Sequence, residues 1–333
     1  MILHISKEIN KGLLHKLQND YLTTIIEKDN FIIIINLTDN NIEKELQNYI
    51  ISKYNISTEA QLSSREYKAA TTQINFPYGY GYIGGDEKNT MIIAGPCAVE
   101  SEKQILESAQ FLKSLGINTL RAGLYKPRTS PYTFQGIGDA GLSILENIKN
   151  EFALNIVSEV RDITNFEKIA NIVDIVQIGA KAMYDQSLLK ACGEINKPIL
   201  LKRHFAATIE EFIKAAEFIL SAGNEKVILC ERGIRTFETK TRFTLDLTSV
   251  AYLKKFVNLP IIVDPSHAMG YSYGVPSLAK ASLAMGIDGL LIEVHPNPNE
   301  ALSDSKQQLN HNEFTELYQS LKEIAKVTNK KII

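Results

Sequence analysis

Three cations, Arg121, Lys126 and Arg128, fall within eight positions of the stretch RAGLYKPRTSPYTFQG, residues 121–136. Gly123, Pro127, Pro131 and Gly136 interrupt the stretch, so it cannot run as one helix with its charges on a solvated face. Other cations follow or close short apolar runs: Lys181 after DIVQIGA, Lys202 and Arg203 in PILLKR, Arg232 in KVILCERG. Two cations ~6 Å apart at an effective dielectric of ~20 repel by about 3 kcal/mol. Bringing Arg121, Lys126, Lys181, Lys202 and Arg232 together is therefore unfavourable unless anions bind among them. Glu159, Glu231 and Asp264 offset only part of that repulsion.

A second group combines Cys97 in GPCAVES, His267 in VDPSH, Glu293 in IEVH and Asp304 in ALSDSKQQL. A thiolate, an imidazole and two carboxylates form a mixed S/N/O donor set suited to a divalent transition metal. The spacing is not that of a zinc finger, so the residues must be assembled by the fold. Singly, each has a plainer reading: a buried thiol, a loop imidazole, a carboxylate paired with an arginine, and a turn cap.

The elements that would place these residues are short apolar runs alternating with helical segments from residue 91 onward. The runs are MIIAG (91–95), NTLRAG (118–123), LNIVSEV (154–160), DIVQIGA (174–180), PILLKR (198–203), KVILCERG (226–233), PIIVDPSH (260–267) and DGLLIEVH (288–295). Helical segments lie between them; TIEEFIKAAEFILSAG opens with a Thr–x–x–Glu capping box. Eight such units and no early GxGxxG fingerprint predict an α/β fold closed as a (β/α)8 TIM barrel over 91–333, rather than an open doubly wound sheet. Each run then delivers a polar or reactive residue, within it or just beyond it, at the end where such barrels carry their chemistry.

Residues 1–63 read as a small ferredoxin-like βαββαβ unit. ILHI is a strand, KGLLHKLQND a helix, and LTTIIEKDNFIIIINL a hairpin around Lys28-Asp29-Asn30. NIEKELQNYIISKY carries Ile42, Leu46, Tyr49, Ile50 and Tyr54 near a 3.6-residue repeat and predicts a second helix, with ISTEAQL as the last strand. Residues 64–90 form a linker whose FPYGYGYIGG predicts a hairpin under the barrel.

Composition excludes several classes. The 333-residue chain has a net charge of −2, 44% apolar and 22% charged residues. It has no basic excess for nucleic acid. No apolar run reaches the ~18 residues of a membrane helix, and MILHISKEINKGLLHKL has no signal-peptide pattern. Three cysteines, Cys97, Cys192 and Cys230, make no disulfide framework and suit a cytoplasmic protein with free thiols.

AGPCAVES, RAGLYKPRTSPYTFQG, LLKR, LCERGIRTFETKTRFTLD, VDPSH and IEVHPNPNEALSD together closely resemble 3-deoxy-D-arabino-heptulosonate 7-phosphate (DAHP) synthase, the shikimate-pathway enzyme. The resemblance spans residues 91–310 and points to the microbial type with an N-terminal ferredoxin-like regulatory domain. It implies condensation of phosphoenolpyruvate with erythrose 4-phosphate, aided by a divalent metal (Mn, Fe, Co or Zn). It assigns Cys97, His267, Glu293 and Asp304 as metal ligands. Arg121, Lys126 and Lys202 fall around the phosphoenolpyruvate carboxylate and its reacting end, Lys181 and Arg232 at its phosphate. Arg128 and Thr129 fall at the aldose phosphate. Lys126, Glu159 and His267 are the candidate catalytic groups. It further implies a homo-oligomer, dimer or tetramer, and an aromatic amino acid effector.

The alternatives are 3-deoxy-D-manno-octulosonate 8-phosphate synthase, which takes arabinose 5-phosphate, a non-catalytic phosphosugar-binding regulator, and a Schiff-base aldolase using Lys202. The chain departs from the DAHP synthase pattern at Lys181, where arginine is usual, at His204, where glycine is common, and at SDSKQQL in place of SDG. Residues 268–275 receive no role.

Overall fold

The computed structural model describes residues 1–21, 23–37, 40–79, 81–86, 88–126 and 130–333. Arg128 and Thr129 thus lie outside the described residues.

β1 (Ile2–Ile5), α1 (Lys11–Asp20), β2 (Thr24–Glu27), β3 (Ile32–Ile35), α2 (Asn40–Leu46) and β4 (Ile50–Tyr54) form the first unit. Its antiparallel sheet has the order β2-β3-β1-β4, that of a ferredoxin-like module. Alternation along the strands explains why all four isoleucines of β3 are buried. Ile32 and Ile34, with Leu3 and Ile5, pack on Leu17, Ile42 and Leu46 of the helices. Ile33 and Ile35, with Ile2 and Ile26, face the barrel and join its outer core.

One expectation fails. The helix predicted through Tyr54 stops at Leu46, and after a 3-10 turn Ile50–Tyr54 is the last strand, pairing Ile2 with Tyr54. ISTEAQL is connector instead. Ile42, Leu46 and Tyr49 fit a helix, but β-branched Ile50 and Ile51 fit a strand, and the free edge of β1 decides the contest by supplying backbone partners.

The hairpin β5 (Ile74–Asn75) and β6 (Tyr82–Ile83) follows. Ile74 and Ile83 are buried with Met91, Ile93, Val157, Ile175, Leu200, Ile228, Cys230, Ile262 and Leu291, which fill the barrel interior. The hairpin therefore closes the N-terminal end, as FPYGYGYIGG suggests.

The barrel runs β7 (Asn89–Gly95), α3 (Glu102–Ser114), β8 (Thr119–Arg121), α4 (Leu142–Phe152), β9 (Asn155–Val160), α5 (Phe166–Ile172), β10 (Ile175–Ile178), α6 (Gln186–Gly193), β11 (Ile199–Lys202), α7 (Ile209–Ser221), β12 (Val227–Glu231), α8 (Leu247–Phe256), β13 (Ile261–Val263), a short α9 (Pro265–Met269), α10 (Val275–Ala284), β14 (Gly289–Glu293) and α11 (His311–Val327). Pairing of β14 with β7 closes it, and β15 (Lys331–Ile332) adds to β7 outside the ring. The strands are buried almost throughout and mostly apolar, because interior side chains meet the plug and exterior ones meet helices. The predicted capping box is present: Thr208 and Glu211 exchange side-chain and backbone hydrogen bonds at the start of α7.

The first unit is tied down by polar contacts as well. Lys28 Nζ donates to Gly223 O at 3.0 Å and pairs with Glu225 at 2.7 Å. Glu217 on α7 accepts from the backbone of Leu62 and Ser63 at 3.1 and 2.7 Å.

Candidate functional site

The C-terminal strand ends meet at one rim. Gly95 ends β7 at φ +142°, and a Cβ there would lie 2.3 Å from Arg121 O. Only glycine allows this approach, which carries Cys97 over the end of β8. Arg121 Nη1 then reaches Glu293 Oε1 at 2.6 Å, while the Cys97 carbonyl accepts from Arg121 Nη2 at 3.5 Å and Lys126 Nζ at 3.3 Å.

Cys97, Glu293 and Asp304 converge so that one donor atom of each lies within 4.8 Å of the other two. Cys97 Sγ is 3.2 Å from Asp304 Oδ2. His267, the fourth expected ligand, stands at the edge of this group, its Nε2 3.4 Å from Glu293 Oε1. Its Nδ1 lies 2.7 Å from Asp264 Oδ2. Asp264 caps α9 by accepting from His267 N and also accepts from Lys202 Nζ at 2.6 Å. Proline at the first position of α9 suits this cap, since its missing N–H would have no helical partner.

Burial sets the protonation states. Burial, reinforced by Glu293, pushes the Cys97 thiol up to about 12. Burial would also raise Glu293 and Asp304, but His267 and Arg121 outweigh it at the first, and His267, Lys126 and Arg242 at the second. Both carboxylates stay below their ordinary values. Burial lowers His267, which favours the neutral ring that a metal requires. A protonated thiol beside two ionised carboxylates is the pattern that a divalent cation completes, because it stabilises the thiolate and relieves the carboxylate repulsion. The donor set fits a divalent metal.

Beside this group is a cavity of about 300 Å³ lined by Lys126, Glu159, Lys181, Lys202, Arg232, Arg235, Arg242 and His267, with Phe205 and Phe243. Arg232 is 5% exposed and lies over the Phe243 ring at 4.2 Å. Its Nη1 and the Nε of Arg121 are buried with no hydrogen-bond partner. A guanidinium nitrogen out of water and without an acceptor is costly, and Arg232 lines the cavity, where an oxyanion can supply one. Glu159 Oε2 accepts from Gln177 Nε2 at 2.8 Å at the cavity wall. Exposed Lys181 lines the cavity too.

A larger groove, about 660 Å³, lies between the connector and helices α7 and α8, lined by Ala60, Ile213, Lys214, Tyr252 and Phe256. No strand tip opens into it. The smaller cavity is the one lined by the strand-end cations and carboxylates.

Sequence reasoning leaves Arg203 and Arg235 with two open readings, rim stabilisers or phosphate contacts. Arg203 is structural, bonded to Glu231 and Asp246 at 2.9 and 3.0 Å, whereas Arg235 lies over Phe205 at 4.5 Å and lines the cavity. It missed Arg242, Gln307 and Gln308. Only the TKTR and SKQQ segments hinted at them, through polar residues without periodicity.

The model of the DAHP synthetase I family matches residues 56–330. The chain belongs to the DAHP synthetase I family. Among relatives, the phospho-2-dehydro-3-deoxyheptonate aldolase of Thermotoga maritima is 46% identical over 275 residues, 82% of this chain and 79% of that protein. The 2-dehydro-3-deoxyphosphooctonate aldolase of Francisella tularensis subsp. holarctica is 32% identical over 261 residues, 72% of this chain and 93% of that protein. The crystal structure of the Thermotoga DAHP synthase superposes with a TM-score of 0.81 at 39% identity, covering 100% of this chain and 99% of that one. The family match begins at residue 56, beyond the N-terminal sheet, but the structural match includes that sheet.

Proposed function

We propose that the site joins phosphoenolpyruvate to erythrose 4-phosphate, giving DAHP and inorganic phosphate, as DAHP synthase. The observation that carries this reading is the Cys97–Glu293–Asp304 group, its first two members buried and the third partly so, beside a cavity lined by Arg232 with its unpartnered guanidinium nitrogen. One wall suits a divalent cation and the other a phosphate ester.

Cys97, Glu293 and Asp304, with His267 at the edge, would hold the cation, whether manganese, iron, cobalt or zinc. Bound there, it supplies Lewis-acid polarisation of an aldehyde oxygen. Arg232 and Lys181 grip the phosphate of phosphoenolpyruvate, and Arg121, Lys126 and Lys202 surround its carboxylate. Holding the two substrates in register lets C3 of phosphoenolpyruvate attack the aldehyde carbon. Water adds to C2, and phosphate leaves by C–O cleavage. Lys126 delivers the proton to the new hydroxyl: burial opposes its charge, but Cys97 and Glu159 outweigh burial and keep it protonated. Glu159 and His267 are the remaining candidates for moving protons. The aldose phosphate falls to Arg128 and Thr129 by family resemblance.

We divide the chain into residues 1–63, a regulatory unit, a 64–90 linker with its hairpin, and the 91–333 barrel. The unit is read as the sensor of an aromatic amino acid in a cytoplasmic dimer or tetramer. Among the described residues no helix is long and apolar enough to cross a membrane. Assays of the full chain with tyrosine and phenylalanine test the sensor, and unchanged rates with both leave assembly as its role.

The test of activity is phosphate release from phosphoenolpyruvate with erythrose 4-phosphate or arabinose 5-phosphate, with and without EDTA. Release with the four-carbon aldehyde, lost in EDTA, supports the reading. Preference for arabinose 5-phosphate transfers it to the octulosonate reaction, and release unaffected by EDTA removes the metal.

A further inference from the structure

Gln307 and Gln308 follow Asp304 by three and four residues, and both are almost completely buried, 2% and 1% exposed. Gln307 Nε2 donates to Glu293 Oε2 at 2.5 Å, and its Oε1 accepts from Arg242 Nη1 at 2.8 Å. Gln308 Oε1 accepts from the Cys97 backbone N–H at 3.0 Å, and its Nε2 donates to Ser303 O at 2.8 Å. Gln307 closes the turn that begins at Asp304, its N–H donating to Asp304 O at 3.1 Å, and the segment is then pinned to β14: Leu309 N donates to Glu293 O at 2.9 Å, and Leu309 O accepts from His295 N at 2.9 Å.

We infer that Gln307 and Gln308, with Arg242 behind the first, are the positioning residues that set the Cys97–Glu293–Asp304 group to the spacing of a metal ion. This rests on the metal reading of that site. Cys97 comes from the loop after β7, Glu293 from the end of β14, and Asp304 from a turn beyond. Pairing of β7 with β14 and of Leu309 with β14 brings the three segments side by side but does not set the side chains that carry the donors. The two amides do: one ties the Asp304 turn to Glu293, the other ties the same turn to Cys97.

The partners also dictate the residue type. At 307 the oxygen faces a guanidinium, which only donates, and the nitrogen faces an ionised carboxylate, which only accepts. At 308 the oxygen faces a backbone N–H and the nitrogen a backbone carbonyl. Glutamate would put oxygen against oxygen at either place, and a hydrocarbon would leave buried groups unpaired. Only an amide satisfies both ends. Arg242 fixes the first amide from the cavity side, its Nη1 also 3.9 Å from Asp304 Oδ1.

The test is Co²⁺ titration of the full-length chain after chelator treatment, read by the thiolate-to-cobalt charge-transfer absorption, without substrate. Wild type should show the band, and Cys97→Ala should lose it. Gln307→Met and Gln308→Met, each checked for native circular dichroism, should bind Co²⁺ with a Kd raised on the order of 10–100-fold. A merely structural role would lower the melting temperature and leave Kd alone, and a wild-type Kd in both folded variants overturns the inference. If either buried substitution fails to fold, Arg242→Met decides, because it releases Gln307 from a half-exposed position. There Kd should rise roughly tenfold, and an unchanged value counts against the inference. Absence of the band in wild type would instead strike the metal reading itself, and this inference with it.

Discussion

Arg121 and Glu293 form an ion pair of 2.6 Å, with side chains 3% and 1% exposed, between two strands separated by β7. The pair links the C-terminal ends of β8 and β14 across the rim, so each partner fixes the other's place. Burial alone would weaken Arg121's hold on its proton, but Glu293 and Cys97 reverse that, and the guanidinium stays charged.

Replacing Arg121 by methionine should therefore damage two properties. It strands a buried carboxylate, and breaking such a pair costs about 3–5 kcal/mol. Urea unfolding at neutral pH checks the stability, and kcat/KM for phosphoenolpyruvate should fall in parallel. Full stability in the variant would mean that water reaches Glu293 freely.

Metal removal gives the second expectation. EDTA-treated protein should release no phosphate, and added divalent metal should restore the rate. Outer partners of metal ligands are worth roughly 10–100-fold, so Cys97→Ser, assayed with excess Mn²⁺, should lose more than about a hundredfold. A rate equal to wild type would dissociate Cys97 from the metal.

Lys181 offers a gain-of-affinity test. Arginine adds a second, parallel donor toward a phosphate. One more net hydrogen bond is worth about 0.5–1.5 kcal/mol, so Lys181→Arg should lower KM for phosphoenolpyruvate roughly two- to tenfold with kcat little changed. An unchanged KM would place the phosphate away from this side chain.

Acid stability supplies a fourth. At Asp246 burial is outweighed by hydrogen bonds from Ser249, Thr248 and Arg203, which hold the carboxyl at about 2 against an ordinary 3.8. A depressed carboxyl pKa contributes stability that is present above the unfolded value and is lost as pH falls through the folded one. Between about pH 4 and pH 2 the wild type should lose stability that Asp246→Asn does not lose. Thermal melts across that range should give a flatter acid limb for the variant.

How far these features could be read in advance differs by element. The eight barrel strands were legible because each is a short, mostly apolar run with an ionisable residue in or just beyond its C-terminal end, and burial on both faces erases any competing alternation. Glu293 was ambiguous for a physical reason. The ligand reading and the arginine-pair reading describe different oxygens and neighbours of one carboxylate, and the fold realises the pair while leaving the donor geometry in place. β4 was misread because Ile42 to Tyr54 satisfies a helical period until an edge strand offers partners. Arg242, Gln307 and Gln308 were invisible, since their worth lies in contacts up to 211 residues distant along the chain. Residues 268–275, left without a role, hold the left-handed cap of α9 at Gly270 and the stacked Tyr271 and Tyr273 rings.

β3 has apolar side chains on both faces, one set toward its own helices and the other toward the barrel. The N-terminal sheet cannot swing off as a tethered flap without wetting Ile2, Ile26, Ile33 and Ile35 together with the surface they cover. Heating should accordingly produce a single calorimetric endotherm for the whole chain, and any signal passed from this sheet to the rim must travel by small sliding shifts against the barrel's outer core rather than by detachment.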